Sequence, residues 1–109
     1  MTEIAQPETL HQMYRRHDDE ARELSRKAGE ALGRYYGLRQ AERAAAAAGE
    51  AHMAAMLARM AETAWTAYEL LEAGRRALHA AQTAAETRMR AAERAAAPGH
   101  VIEISGADL

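Results

Sequence analysis

His52, Met56 and Met60 recur every fourth residue, with Met53 beside them. On a helix that spacing stacks one imidazole and two thioethers along a single face, a donor set that suits Cu(I). Methionine at helical spacing equally serves as a flexible filler between packed helices, and that is the simpler reading. Glu8 and His11 carry the Glu-x-x-His spacing of di-iron helical bundles. Such a site also needs inward-facing carboxylates from the other helices, and the apolar stripes described below offer none. His17 stands among alanines and leucines, where a buried histidine finds a hydrogen-bond partner or gives up its proton. It could make assembly depend on pH. No metal site and no cofactor is assigned.

Catalytic arrangements are missing from the pattern. The chain has no cysteine, and its serines are Ser25 and Ser105 alone. No paired acids, nucleophile–base spacing or glycine-rich phosphate loop occurs. The expectation is a protein that is not an enzyme.

Composition narrows the partners. Fourteen basic and sixteen acidic residues leave a net charge of −2. No basic field exists to draw in nucleic acid or an anionic membrane. The opening residues lack the apolar core of a secretory signal, and no apolar run reaches the length of a membrane span. The chain is therefore expected in the cytoplasm, with signal-independent export left open.

The hydrophobic fraction of 49% is carried largely by alanine; phenylalanine is absent. Leu, Ile and Val together number thirteen. Alanine buries little area, so a monomer built from this chain would have a thin core. Alanine is also the strongest helix former, and the low net charge does not fit a disordered chain.

The elements that carry these residues are long helices. Pro7 suits a first helical turn, and Glu8 suits its positive end. From there Leu10, Tyr14, His17, Ala21, Leu24, Ala28, Ala31, Tyr35 and Leu38 step by four and three. That is a heptad-like seam. Oppositely charged residues four apart, such as Arg16–Glu20, Glu23–Lys27 and Arg26–Glu30, mark the solvated face. A second stripe runs through Met53, Leu57, Met60, Ala64, Ala67, Leu71, Gly74, Leu78, Ala81, Ala85, Met89, Ala92 and Ala96. Pro98-Gly99 ends it.

Between the stripes lie five alanines and Gly49. A single glycine costs only about 1 kcal/mol inside a helix, so it does not by itself impose a break. The large side chains vanish across Ala44–Ala48, however, and the two halves are nearly equal in length. An all-α fold follows: a long antiparallel helical hairpin, with helices of about 8–48 and 50–97, that assembles into a bundle. A three-helix bundle with a turn near 37 is the alternative. Residues 1–6 form an N-terminal extension, 7–97 the hairpin domain and 98–109 a C-terminal tail. The tail is β-prone at Val101, Ile102 and Ile104. It is expected to be separable and could add as a strand to a partner's sheet edge.

With the turn at Gly49, residues whose numbers sum to about 98 stand at one level. Leu24 then faces Gly74, Gly37 faces Ala61, and Gly33 offers a hole for Trp65. Gly29, Gly33, Gly37 and Gly74 are expected to permit close helix packing. Tyr35, Tyr36, Trp65, Tyr68, Leu71 and Leu78 supply the large side chains from which core or partner contacts would be made. The outline, with Trp65 and Tyr68-x-x-x-Glu72, resembles the small secreted helical hairpins that carry Trp-x-Gly at the turn. No Trp-x-Gly stands at this turn, and the Tyr-x-x-x-Glu falls inside a helix, so that family's properties do not carry over. The function expected is a helical interaction or assembly protein: an adaptor, an assembly subunit or a small secretion-type chaperone. It would pair with itself or with another protein through apolar seams, and not with nucleic acid or membrane. A metal-binding bundle using His52, Met56 and Met60 is the alternative.

Overall fold

A computed structural model describes residues 7–97. Two helices account for nearly all of them: α1, Leu10–Ala47, and α2, Ala51–Ala96. At 1.5 Å per residue they are about 57 and 69 Å long. They pack as an antiparallel hairpin. The extension 1–6 and the tail 98–109 lie outside the described residues.

α1 starts on a capping box. The Gln12 N–H donates to Thr9 Oγ1 (3.1 Å), and the Thr9 N–H donates to Gln12 Oε1 (3.0 Å). Two otherwise unpaired donors are satisfied this way, which fixes the first helical residue at Leu10. Pro7, expected in the first turn, therefore precedes the cap. Glu8 stands outside the helix and takes Arg16 in a two-pronged ion pair (2.9 and 3.2 Å). The guanidinium holds the Glu8 carboxyl below its ordinary range. Glu8 and His11 thus do not share a helix face, and the di-iron spacing has no structural counterpart.

The turn lies at Gly49. Its φ of +76° is the one positive value among the described residues. The Glu50 N–H donates to the Ala45 carbonyl (2.9 Å) and the Gly49 N–H to the Ala46 carbonyl (3.1 Å). This pair of bonds closes a Schellman motif, which needs a left-handed residue where Gly49 stands. Glu50 then caps α2, its carbonyl accepting from the Ala54 N–H (2.9 Å). α1 continues unbroken through Gly37, so the three-helix alternative does not hold.

The interface between the helices is lined with alanine. The deeply buried apolar residues are Met13, Ala28, Ala31, Ala45, Ala61 and Ala64, and His17 is buried with them. The expected α1 seam lies at the interface along its whole length, each member buried or half-buried. Met13, outside the expected seam, is the most enclosed large side chain. On α2 the stripe needs correction. Leu57, Ala61, Ala64, Tyr68, Leu71 and Leu78 face inward, whereas Met53, Met60, Ala81, Ala92 and Ala96 are exposed. Small side chains let the backbones approach, so Ala61 goes in and the larger Met60 beside it is turned out.

Ion pairs run along the helices and not between them. Arg16–Glu20, Glu23–Lys27 and Arg26–Glu30 form as the spacing predicts. Among the described residues, the polar side-chain contacts that cross the hairpin gather at Tyr14, whose Oη accepts from Arg90 Nη2 (3.4 Å) and whose hydroxyl also serves the Glu86 carboxyl. Apolar contact therefore sets most of the register.

Candidate interaction surface

Aromatic side chains gather on one face at mid-hairpin. The Tyr35 ring lies 5.4 Å from that of Tyr36 and 5.0 Å from that of Trp65, which lies 5.2 Å from Tyr68. The Arg39 guanidinium sits over Tyr35, 5.4 Å from its centroid. Tilted and edge-on arrangements of this kind add to simple burial. The cluster is only partly enclosed: Trp65 keeps 39% of its surface exposed and Tyr36 61%. Four of the six side chains expected to make contacts thus meet in one place. Leu71 and Leu78 are half-buried in the hairpin interface.

Of the four glycines expected to permit close helix packing, only Gly74 lines the interface between the helices. A Cβ added to Gly29, Gly33 or Gly37 would meet nothing within 4 Å, whereas one on Gly74 would stand 3.8 Å from Leu24 Cδ2. Leu24 faces Gly74 as expected. Gly33 does not receive Trp65; Tyr35 does. The sum rule gives the level along the axis and says nothing about the direction around it. Residues four apart drift about 40° per step on a helix. The row of small residues four apart, Gly29, Gly33, Gly37, Ala41 and Ala45, thus begins exposed and reaches the interface only at Ala45.

Stepping forward one residue from each core seam rotates by about 100° on both helices. From Tyr35 and Ala64 that step reaches Tyr36 and Trp65, which share the aromatic face. Stepping back one residue leads to the opposite face. On α2 this gives Met56, Met60, Thr63, Ala67, Leu70, Ala77, Ala81 and Ala84, with Gly74, half-buried against Leu24, at the border between the two seams. No charge interrupts them, and they keep the four-three step of a heptad seam. Met60 is 49% exposed and Leu70 68%. On α1, from Ala21 to Tyr35, the same step gives Glu20, Glu23, Lys27, Glu30 and Arg34, a solvated ribbon of mixed sign, whereas nearer the helix start it reaches the buried Met13. The hairpin thus has one face with a charged half and an uncharged half. The outer seam escapes the sequence pattern because its members and the inner ones are adjacent residues, and a stripe of apolar residues drawn down the middle takes some of each.

His52, Met56 and Met60 all lie exposed on α2 and extend over about 12 Å of helix axis. Among the described residues, no group of three or more His, Asp and Glu side chains is placed to hold a metal ion. On the aromatic side, an open groove of about 390 Å³ runs between the helices beside His17, Asp18, Glu72, Arg75 and His79. Glu72 is committed to Arg75 (2.8 Å). No described helix is long and apolar enough to cross a membrane.

At the open end, Tyr14, Glu86 and Arg90 form a small polar cluster. The Tyr14 hydroxyl and then Arg90 hold the Glu86 carboxyl below its ordinary value.

No protein-family model, curated protein or solved structure matches this chain.

Proposed function

We propose that this chain is a non-enzymatic assembly protein, which joins helix to helix through the outer seam of α2. The observation that carries the reading is that seam: an uncharged row at heptad spacing from Met56 to Ala84, with Met60 and Leu70 largely in solvent. A helix inside a bundle needs apolar positions wider than a two-stranded seam, because it meets two neighbours. α2 has this double seam, and the hairpin occupies half of it. The thin core argues the same way. Five of the six deeply buried apolar residues are alanines, each contributing little area.

Assembly couples stability to concentration. The thermal midpoint should rise as the protein is concentrated a hundredfold from the low micromolar range. A midpoint that stays constant over that range, and is untouched by Leu70→Glu, overturns the reading.

A further inference from the structure

Methionine between packed helices fills gaps, but Met53, Met56 and Met60 fill none in this hairpin. All three are exposed, whereas Met13 is enclosed and Met89 half-buried. His52, beside them, is exposed as well. His52 and Met60 stand about two turns apart, so those two do not close on one ion. Met53 changes the geometry.

We propose that His52, Met53 and Met56 form a site for one soft monovalent metal ion, with Cu(I) as its occupant. The site goes beyond the assembly reading and does not depend on it.

The three positions make a triangle on the helix surface. His52 and Met53 lie four and three residues before Met56, with Cβ atoms about 5–6 Å from that of Met56. Side chains on a helix lean toward its N-terminus, so the thioether of Met56 lies over the turn that carries His52 and Met53. By the same lean Met60 covers the turn of Met56 and falls outside the trio. A thioether side chain has three rotatable bonds. None of the three residues is held in the interface between the helices, so no packed neighbour has to move for the donors to converge. The backbone beneath them is fixed in advance. They belong to the first two turns of α2, whose start is set by the Schellman turn at Gly49 and by Glu50.

The donor set selects the ion. Two thioethers and a neutral imidazole are ligands that suit Cu(I). They bring no negative charge, so a hard divalent ion gains little from them. Glu50 and Arg59 flank the trio with opposite signs, so donor softness and not a local field draws the ion. The positive end of the helix dipole opposes any cation here, and it opposes a doubly charged one twice as strongly.

Methionine methyl signals in carbon-13 NMR read the site one residue at a time. The probe is Ag(I), a redox-stable analogue of Cu(I), added to the full chain in chloride-free buffer. The methyls of Met53 and Met56 should shift together and saturate at one equivalent, while those of Met13, Met60 and Met89 stay in place. His52→Ala should raise the dissociation constant about tenfold or more, and Met60→Leu should leave it unchanged. Zn(II) should move none of the signals. The substituted positions are exposed, so circular dichroism should stay helical in each variant. The absence of a saturable shift overturns the site. So does a shift at Met60 equal to those at Met53 and Met56, or a His52→Ala variant that binds as tightly as the wild type. None of these outcomes bears on assembly, which the concentration dependence of melting reads separately.

Discussion

Ala61 has none of its surface exposed, while Met60, the residue before it, leaves half of its own in water. One step of about 100° separates the two. It divides α2 into an inner seam that closes the hairpin and an outer seam that the hairpin leaves open. The inner seam admits small side chains because the helices lie close. Ala61→Leu should therefore overpack it and destabilise the hairpin by about 1–3 kcal/mol. Urea denaturation checks this. A neutral or stabilising result would mean that the interface has room.

Gly49 and Gly33 should respond in opposite directions. Gly49 holds φ +76° in the Schellman turn, where a Cβ costs about 1–2 kcal/mol. Gly49→Ala should lose that much, and Gly49→Asn less, because asparagine tolerates the left-handed region. Gly33 is helical and open. Gly33→Ala should gain about 0.5–1 kcal/mol from helix propensity alone. Denaturant midpoints of the three variants decide the matter.

Trp65 bridges Tyr35 and Tyr68. A fully buried tryptophan costs about 3–5 kcal/mol on truncation, and Trp65 is partly exposed. Trp65→Ala should cost about 2 kcal/mol in thermal unfolding followed by circular dichroism. It is also the chain's one tryptophan, so its fluorescence in the wild type reports the cluster directly. A loss below about 0.5 kcal/mol, the low end for an aromatic pair, would mean that the cluster adds nothing.

The Tyr14–Glu86–Arg90 cluster gives a pH dependence. The Glu86 carboxyl is lowered from 4.5 in the folded chain, chiefly by the Tyr14 hydroxyl. A depressed carboxylate contributes stability that is complete above its unfolded value and lost as pH falls through the folded one. Melting temperature should therefore fall below about pH 4.5. Glu86→Gln should flatten that fall. An unchanged acid slope would show that the cluster does not bind the helix ends together.

The sequence made some of this legible and not the rest, for physical reasons. The turn could be read because large side chains stop before Gly49 and resume after it. The α1 seam could be read because its flanks are charged, which sharpens the stripe. On α2 Met60 and Ala61 stand side by side between Arg59 and Glu62, so charged flanks do not choose between them, and size wrongly favoured Met60 over Ala61. The capping box was present in Thr9-x-x-Gln12 and outweighs the pull of Pro7 toward the first turn. Gly33 and Trp65 share a level, but facing each other also needs a common direction around the axis, which spacing from the turn does not supply.

Sedimentation equilibrium at micromolar concentration tests assembly through the outer seam most directly. One chain weighs 11.9 kDa. The wild type should sediment at about twice that mass, and Leu70→Glu, which puts a carboxylate where the partner's helix packs, should shift it toward the mass of one chain while far-UV circular dichroism stays helical. A wild-type protein that sediments at 11.9 kDa, with or without Leu70→Glu, would contradict the account.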